Sequence, residues 1–267
     1  MKVGIVGCGN IASDICRAIR EKGLMAEVVA LTDVDVAKAE TLRQDHDLNA
    51  VITSLDKTVA AVDYVVECAV GIVVPEVLQS AIKYRVDCLI MSVGGFMSQP
   101  ELLEEARKNR VHVWLPTGAV CGIDGIRSAM QAGLESVTLT TRKPPRGLVG
   151  APYLKEHNID VEHLSEPLIV FDGTAREAVK AFPANVNVAA ALSLAGIGPD
   201  ATRVRLVADP DATMNTHEIH AVGAFGELTT VTQNRPSPRN PKSSYMASLS
   251  ASAEVAAAAA VFAARES

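Results

Sequence analysis

A chain of 267 residues has room for two domains, and its 48% hydrophobic content is sufficient for two buried cores. With 25 basic and 31 acidic residues, the net charge of −6 offers no overall electrostatic basis for binding nucleic acid or an anionic membrane. The five cysteines show no CxxC spacing, which predicts reduced thiols in a cytoplasmic protein, with neither a disulfide framework nor a metal site.

The first strand-like run leads directly into a glycine-rich turn. Lys2 to Val6 form a short run that is apolar after Lys2 and partly β-branched. The next six residues, Gly7-Cys8-Gly9-Asn10-Ile11-Ala12, have the GxGxxA spacing. Because a helical apolar pattern follows, this stretch predicts a strand, a tight turn and a helix that bind a dinucleotide pyrophosphate. Gly7 makes the turn and Gly9 admits the phosphates. The backbone N–H groups of Asn10 and Ile11, at the start of the helix, bind the negatively charged phosphates.

An acidic residue ends the second strand. Glu27 to Thr32 read as a strand that stops at Asp33, which lies 21 residues after Ala12. A carboxylate in this place accepts hydrogen bonds from the adenine-side ribose of NAD and repels the 2′-phosphate of NADP. The stretch therefore predicts NAD as cofactor, with NADP possible. The alternative is a βαβ unit with incidental glycines and a solvated Asp33.

Strands and helices continue to alternate as far as Leu115, which predicts a Rossmann-type, doubly wound parallel sheet in a domain of residues 1–120. The helices are expected at 36–45, 55–61, 75–83 and 100–109, and the strands at 50–52, 64–68, 88–91 and 111–115. Ser92 to Phe96 is expected to be a glycine-containing loop at the sheet edge where ligands bind.

Period-two alternation marks the second half of the chain. Strands are expected at 135–142, 167–172, 202–208 and 216–222 with a continuation to 233, and helices at 123–132, 175–182 and 187–194. This pattern predicts a second, α+β domain of residues 121–242 with a mixed or antiparallel sheet. Residues 144–158, rich in proline and glycine, read as a long loop and a possible lid.

The alanine-rich C-terminus, Ser243 to Ala264, is expected to be a helix that returns to the first domain, so that residues 243–267 belong with residues 1–120. No apolar run is expected to reach the roughly 18 residues of a membrane span.

Two histidines lie on one predicted strand, in Asn215-Thr216-His217-Glu218-Ile219-His220. Since strand side chains alternate, His217 and His220 point to opposite faces and at most one faces a cleft. A histidine near its normal pKa is the usual proton acceptor when an amine or alcohol is oxidised. The alternative for either is a packing or surface histidine, and the spacing is not that of the zinc motif HExxH.

Two further groups of residues could bind ligands. Asn185 and Asn187 lie at the start of a predicted helix, where asparagines usually act as caps, but one in a cleft could hold a nicotinamide carboxamide or a carboxylate. Arg142, Lys143 and Lys242 could hold substrate carboxylates through charge-assisted hydrogen bonds, although short basic runs are more often solvated loops.

These motifs together resemble the L-aspartate dehydrogenase family over nearly the whole chain. The matching stretches, in the family's order, are Gly7-Cys8-Gly9, Pro116-Thr117-Gly118-Ala119, Gly122-Ile123-Asp124, Leu139-Thr140-Thr141-Arg142-Lys143, residues 182–190, Asn215-Thr216-His217-Glu218-Ile219 and residues 240–245. The resemblance implies NAD(P)-dependent oxidation of L-aspartate to iminoaspartate, which hydrolyses to oxaloacetate and ammonia or feeds the quinolinate branch of NAD synthesis. It also implies that His217 is the catalytic residue and that Ala119 and Asn187 contact the cofactor.

A homodimer is expected, because the alanine-rich C-terminal helix allows close approach of a partner and two-domain dehydrogenases are commonly dimers. Two departures from the family concern the longer 144–167 segment and the unusual alanine content of the last helix. Two competing functions are a related reductase of another small amino or keto acid and a non-enzymatic module that senses NAD(H).

Overall fold

A computed structural model of the chain describes residues 1–183, 187–238 and 244–266. The chain forms two compact units. The first contains Met1–Pro116 and the chain from Ser248 onward, and the second is Thr117–Ala247. The first crossing between units therefore comes after Pro116, shortly before the expected boundary at residue 120, and the chain returns to the first unit within the last helix.

The first unit is built on a six-stranded parallel sheet with the order β3-β2-β1-β4-β5-β6. Its strands are β1 (Lys2–Val6), β2 (Glu27–Thr32), β3 (Val51–Ile52), β4 (Tyr64–Glu67), β5 (Asp87–Ile90) and β6 (Val113–Trp114). All four residues of β4 are buried, as expected of a central strand that helices cover on both faces. The predicted Rossmann-type sheet is confirmed, and its order reverses between β1 and β4, where such sheets bind ligands.

The helices of the first unit connect these strands. They are α1 (Asn10–Glu21), α2 (Val36–Asp45), α3 (Leu55–Ala60), α4 (Val74–Tyr84) and α5 (Glu101–Lys108). In α1 the apolar residues Ala12, Ile15 and Cys16 share the buried face, and Gly23, with φ +59°, follows the last turn as a left-handed terminator. Ser92 to Phe96, expected to be loop, contains a 3₁₀ turn, Val93–Met97.

The second unit has a five-stranded mixed sheet with the order β11-β10-β7-β9-β8. The strands are β7 (Leu134–Lys143), β8 (Leu168–Thr174), β9 (Arg203–Ala208), β10 (Asn215–Gly223) and β11 (Gly226–Asn234). Strands β7 and β9 run parallel to each other, and the other three neighbouring pairs of these strands are antiparallel. The predicted α+β class is therefore confirmed. The expected continuation of one strand from residue 216 to 233 is instead a hairpin, because the chain turns between Gly223 and Gly226.

Four helices accompany this sheet in the described chain: α6 (Ile123–Ala129), α7 (Pro152–Glu156), α8 (Ala175–Ala181) and α9 (Asn187–Ala195). Helix α7 corrects the expectation of an irregular loop and possible lid over residues 144–158. Leu148, Leu154 and Val161 are buried in the core of the second unit, so this segment is anchored by apolar packing at three points.

The last helix, α10 (Tyr245–Glu266), packs its small residues into the first unit. Ala251, Val255 and Ala258 are fully buried in the same core as β1. Over Tyr245–Arg265 the helix has the length and composition of a membrane span, with a mean hydropathy of 1.5, contrary to the expectation from the sequence. The many alanines raise this average, while the serines and Glu254 interrupt the apolar sequence of the helix so that its longest continuous apolar run is only residues 255–264. The same small side chains allow the helix to pack closely in the core.

Candidate functional site

The glycine-rich turn connects β1 to α1 and is shaped by contacts that admit no side chain at Gly7. Gly7 has φ +93°, and a Cβ there would lie 2.6 Å from Cα of Ala69, at the end of the neighbouring strand β4. The amide of Gly7 donates to the carbonyl of Thr32 at 2.8 Å. Glycine is thus required here by both backbone conformation and space.

Gly9 has a different surrounding. Its φ is −91°, which any residue adopts, and a Cβ there would meet nothing within 4 Å. Helix α1 begins at Asn10, and no side chain in the described part of the chain caps its N-terminus. Open space above a glycine, beside the uncapped N–H groups of a twelve-residue helix, fits the close approach of a pyrophosphate.

Asp33, predicted from the sequence to accept hydrogen bonds from a ribose, also accepts two backbone hydrogen bonds within the protein. One carboxylate oxygen accepts the amide of Cys8 at 2.7 Å, and the other accepts the amide of Asp35 at 2.9 Å. The side chain therefore fixes the glycine-rich turn to the end of β2. Each carboxylate oxygen has a second lone pair, so Asp33 retains the capacity to accept ribose hydroxyl groups.

Glu67 fixes the two sheet-edge loops that follow β4 and β5, and sequence reasoning overlooked it. This fully buried carboxylate accepts the amide of Ala69 at 2.8 Å and both the hydroxyl and the amide of Ser92 at 2.9 Å. Burial raises the pKa of Glu67, while these donors oppose the shift. A glutamate at the end of an otherwise apolar strand was the available signal. Gly71 and Gly95 meet beyond it, where a Cβ on Gly95 would lie 2.4 Å from the carbonyl oxygen of Gly71.

In the second unit, the helix-covered face of the sheet changes from apolar to polar along the strands. Strand register aligns the inward residues of β11, β10 and β7 in transverse rows. The apolar end has Leu228, Ala221 and Val137 in one row and Thr230, Ile219 and Leu139 in the next. The third row is Thr232, His217 and Thr141, and beyond it Asn234 opposes Asn215, with Lys143 two residues beyond Thr141.

His217 lies in this polar end and is paired with Thr141. Nδ1 of His217 is 2.9 Å from Oγ1 of Thr141, and both residues are buried. When Nδ1 carries the ring hydrogen and donates it to Thr141, Nε2 has a free lone pair and can accept a proton. His220 projects to the other face, where its Nε2 lies 2.7 Å from Oε1 of Glu227. The predicted separation of the two histidines is confirmed.

Burial changes the acid–base properties of His217. Loss of water and, secondarily, the positive charge of Lys143 lower its pKa to about 3. The expectation of a histidine near its normal pKa is therefore wrong for the ligand-free protein. Burial likewise lowers the pKa of Lys143, to about 8. Adding negative charge beside this pair would raise both pKa values, which is the change that a bound carboxylate produces.

The three candidate cations differ in their surroundings. Lys143 is buried on the same face of β7 as Thr141. Arg142 lies on the opposite face, and its guanidinium contacts the carboxylate of Asp209 at 2.9 Å. Lys242 lies outside the described residues, as does Asn185. The geometry thus favours Lys143 over Arg142 as a group near His217.

Ala119 and Asn187, the two residues matched to the family's cofactor contacts, belong to segments that meet. A Cβ on Gly118, the neighbour of Ala119, would lie 3.7 Å from Cγ1 of Val188, the neighbour of Asn187. Asn187 is the first residue of α9. The carbonyl of Ala119 accepts Nδ2 of Asn234 at 2.7 Å, which connects this segment to the polar end of the sheet.

Sequence reasoning did not identify Thr141 or Asn234 as members of this group. Strand alternation puts Thr141 on one face with Lys143, but only the register between β7 and β10 sets it opposite His217. Asn234 lies seventeen residues after His217 and reaches its row through the hairpin. Among the residues that the structure describes, no group of three or more His, Cys, Asp or Glu side chains could hold a metal ion.

A parallel sheet with a glycine-rich turn at its switch point, followed by a mixed sheet that buries a histidine and a lysine, defines a dinucleotide-dependent oxidoreductase. Comparison with known proteins agrees with this class. The profile of the homoserine dehydrogenase NAD-binding domain matches residues 7–116, and that of the aspartate dehydrogenase C-terminal region matches residues 124–258.

Similar proteins extend over almost the whole chain. L-aspartate dehydrogenases of Methanosarcina mazei and Methanosarcina acetivorans are 48% and 46% identical, each alignment covering 94% of both chains. The crystal structure of aspartate dehydrogenase from Thermotoga maritima superposes with a TM-score of 0.66 at 26% identity, covering 87% of this chain and 88% of that one. The chain belongs to the L-aspartate dehydrogenase family.

Proposed function

We propose that this protein oxidises L-aspartate to iminoaspartate with NAD⁺ and that His217 is the catalytic base. The observation that carries the assignment of the base is the buried hydrogen bond between His217 and Thr141, next to the buried cation Lys143. It combines a proton acceptor of fixed orientation with a positive group suited to a carboxylate. Membership of the family supports aspartate as the substrate.

The first step is removal of a proton from the substrate ammonium group. Nε2 of His217 accepts this proton, directly or through a water molecule, which leaves a lone pair on the substrate nitrogen. As the hydride departs from Cα, this lone pair forms the C=N bond of the imine. NAD⁺, when bound, supplies the acceptor for that hydride.

Substrate binding itself prepares the base. In the ligand-free protein, burial and Lys143 hold the pKa of His217 too low for effective proton capture. Aspartate carries two carboxylates, and Lys143 binds one of them by a charge-assisted hydrogen bond. The negative charge of the bound carboxylate offsets the positive charge of Lys143 and raises the pKa of His217. The base therefore gains affinity for a proton only when substrate is present.

The cofactor is held by backbone and by one carboxylate. Gly7 and Gly9 would admit the pyrophosphate, the N–H groups of Asn10 and Ile11 would bind its negative charge, and Asp33 would accept hydrogen bonds from the ribose hydroxyls. Ala119 and Asn187 would also contact the cofactor, as their match to the family motif implies. The negative charge of Asp33 favours NAD over NADP.

Hydrolysis completes the reaction. Once protonated, His217 returns its proton to solvent, and the neutral imidazole then activates a water molecule that attacks the imine carbon. The C–N bond breaks after proton transfer to nitrogen, which yields oxaloacetate and ammonia. Release of iminoaspartate before hydrolysis is the alternative outcome.

The test measures the absorbance of reduced nicotinamide formed from NAD⁺ with a panel of amino and hydroxy acids. Aspartate is expected to be the preferred substrate, and preference for another amino acid or for a hydroxy acid would contradict the proposal. His217→Ala should lower kcat by roughly 10²- to 10⁴-fold, the usual contribution of a positioned base, and leave NAD binding nearly unchanged.

His220→Ala is the matched control for this substitution. His220 lies three residues further along the same strand, on the opposite face and in contact with Glu227, so its removal should change turnover little. Equal effects of the two substitutions, or a larger effect at His220, would mean that the base is misassigned.

We also propose a homodimer. The side of α10 away from the core of the first unit exposes small and apolar residues, among them Leu249, Ala253, Ala257 and Val261. Such a surface allows a partner to pack closely. Light scattering should return twice the chain mass of 28.2 kDa, and the single mass at micromolar concentration would refute the dimer.

A further inference from the structure

The side-chain amide of Asn234 is buried at the polar end of the second sheet, and among the described residues only its nitrogen has a hydrogen-bond partner. The residue is 3% exposed, and its Nδ2 donates to the carbonyl of Ala119 at 2.7 Å. Because a carbonyl oxygen can only accept, this contact determines which end of the amide is the nitrogen. Oδ1 therefore points away from Ala119.

Oδ1 of Asn234 is a buried acceptor that receives no hydrogen bond from residues 1–183, 187–238 or 244–266. Buried side-chain acceptors are rarely left unpaired, so an unpaired one needs an explanation, and a hydrogen bond to a bound ligand is one. An amide oxygen accepts and does not donate, so the missing partner carries an N–H or O–H group.

The position of Asn234 relates it to the proposed base. It opposes Asn215 across the β10–β11 pair, and Thr232, two residues earlier on the same face, opposes His217. Opposed residues lie about 5 Å apart, and residues two apart on a strand lie about 7 Å apart. The amide of Asn234 thus lies within about one side-chain length of the row that contains His217 and Thr141.

We propose that Asn234 is a ligand-recognition residue whose Oδ1 accepts an N–H of the molecule on which the enzyme acts. This inference rests on the proposed function, which supplies two ligands with N–H groups: the carboxamide of the nicotinamide and the amino group of the substrate. A bond to the carboxamide would orient the nicotinamide ring. A bond to the amine would select amino acids over hydroxy acids.

Two probes separate these sources. Reduced 3-acetylpyridine adenine dinucleotide has a methyl group where NADH has the amide NH₂, so the ratio of their dissociation constants measures recognition of the carboxamide. Succinate has the two carboxylates of aspartate without the amine, so the KM of aspartate relative to the inhibition constant of succinate measures recognition of the amine. The cofactor measurement uses binding alone and does not require turnover.

Asn234→Ala and Asn234→Asp are compared with the unmodified protein. In Asn234→Ala one of the two ratios should change by about 10-fold or more, as expected for a lost buried hydrogen bond. Asn234→Asp retains an acceptor oxygen but loses the donor to Ala119, and should restore that ratio at least in part. Thr230→Val is the control, because it removes a similar tie, from Thr230 Oγ1 to the carbonyl of Cys121 at 3.1 Å, and should change neither ratio.

The proposal is overturned if Asn234→Ala leaves both ratios unchanged. It is also overturned if Asn234→Asp changes both ratios as strongly as Asn234→Ala does. Either result would make Asn234 only a tether for the Ala119 segment. Failure of the unmodified protein to oxidise aspartate would refute the proposed function instead, and the cofactor ratio would still test Asn234.

Discussion

Oγ1 of Thr141 lies 2.9 Å from Nδ1 of His217, and the two residues are directly opposed on neighbouring antiparallel strands. This hydrogen bond limits the rotation of the imidazole and selects which ring nitrogen remains free. Since both side chains are buried away from bulk solvent, the bond has more influence on the tautomer than it would at the surface.

Thr141→Val removes the hydroxyl at nearly constant volume and should lower kcat by about 10- to 100-fold, in line with ~1–3 kcal/mol for a buried hydrogen bond. The KM of NAD should stay the same, because Thr141 is not among the residues assigned to the cofactor. Thr141→Ser keeps the hydroxyl and should restore most of the rate. Equal loss in both variants, measured by steady-state kinetics, would show that packing and not the hydrogen bond matters.

The pH dependence of kcat/KM for aspartate should have an alkaline limb set by Lys143. The pKa of this lysine is lowered to about 8, so its positive charge is present below that pH and is lost as the pH rises through it. His217, with a pKa of about 3 in the ligand-free protein, stays neutral above that value and should produce no acid limb between pH 5 and 7.

Lys143→Arg tests the alkaline limb, because an arginine remains charged throughout this range. The limb should move upward by at least one pH unit in this variant, whereas Lys143→Met should raise the KM of aspartate at every pH. Titration of the substrate amine contributes equally in all variants and cancels in the comparison. An unshifted limb in Lys143→Arg would exclude Lys143 as its cause.

The two glycines of the turn should respond differently to alanine. Gly9→Ala places a methyl group in open space, so stability should change by no more than about 1 kcal/mol, but the affinity for NADH should fall by at least 10-fold. Gly7→Ala combines a φ of +93° with a clash against Ala69 and should destabilise the fold by about 1–3 kcal/mol. Thermal unfolding and fluorescence titration with NADH distinguish the two effects.

Asp33→Ala should narrow the preference for NAD over NADP by about 10-fold, since it removes a charge that repels the 2′-phosphate. It should also weaken binding of NAD, because the amides of Cys8 and Asp35 lose their acceptor. Asp35→Ala is the control: Asp35 caps α2 through the amide of Ala37, and its removal should cost about 1 kcal/mol of stability without changing cofactor preference. An unchanged NAD to NADP ratio in Asp33→Ala would contradict the assigned role.

Features that depend only on neighbouring residues could be predicted from the sequence. The turn at Gly7 and Gly9 is encoded in six consecutive residues, because a left-handed φ and a close backbone approach leave glycine as the suitable choice. Alternation along one strand was enough to separate His217 from His220, since successive side chains of a strand point to opposite faces. The stop of β2 at Asp33 is likewise a local feature.

Three features depended on contacts between segments distant in the chain. The pairing of Thr141 with His217 spans 76 residues and requires the register of β7 against β10. In the sequence, Glu67 is only a charged residue at the end of an apolar strand. Its role depends on Ser92, which follows β5 and donates two hydrogen bonds to it in the folded protein. The anchoring of residues 144–161 in the core depends on three isolated apolar side chains, which carry no periodic pattern.

The burial and the pKa of His217 were the features that the sequence predicted least well. The sequence by itself determined that a histidine stands on a half-buried strand, because periodicity follows from backbone geometry. Only the tertiary structure decided that this histidine is buried and lies beside a buried lysine, and that burial, together with the charge of the lysine, lowers its pKa to about 3. Desolvation and charge–charge interactions depend on distances in space, and folding sets those distances through the register of strands that are far apart in the chain.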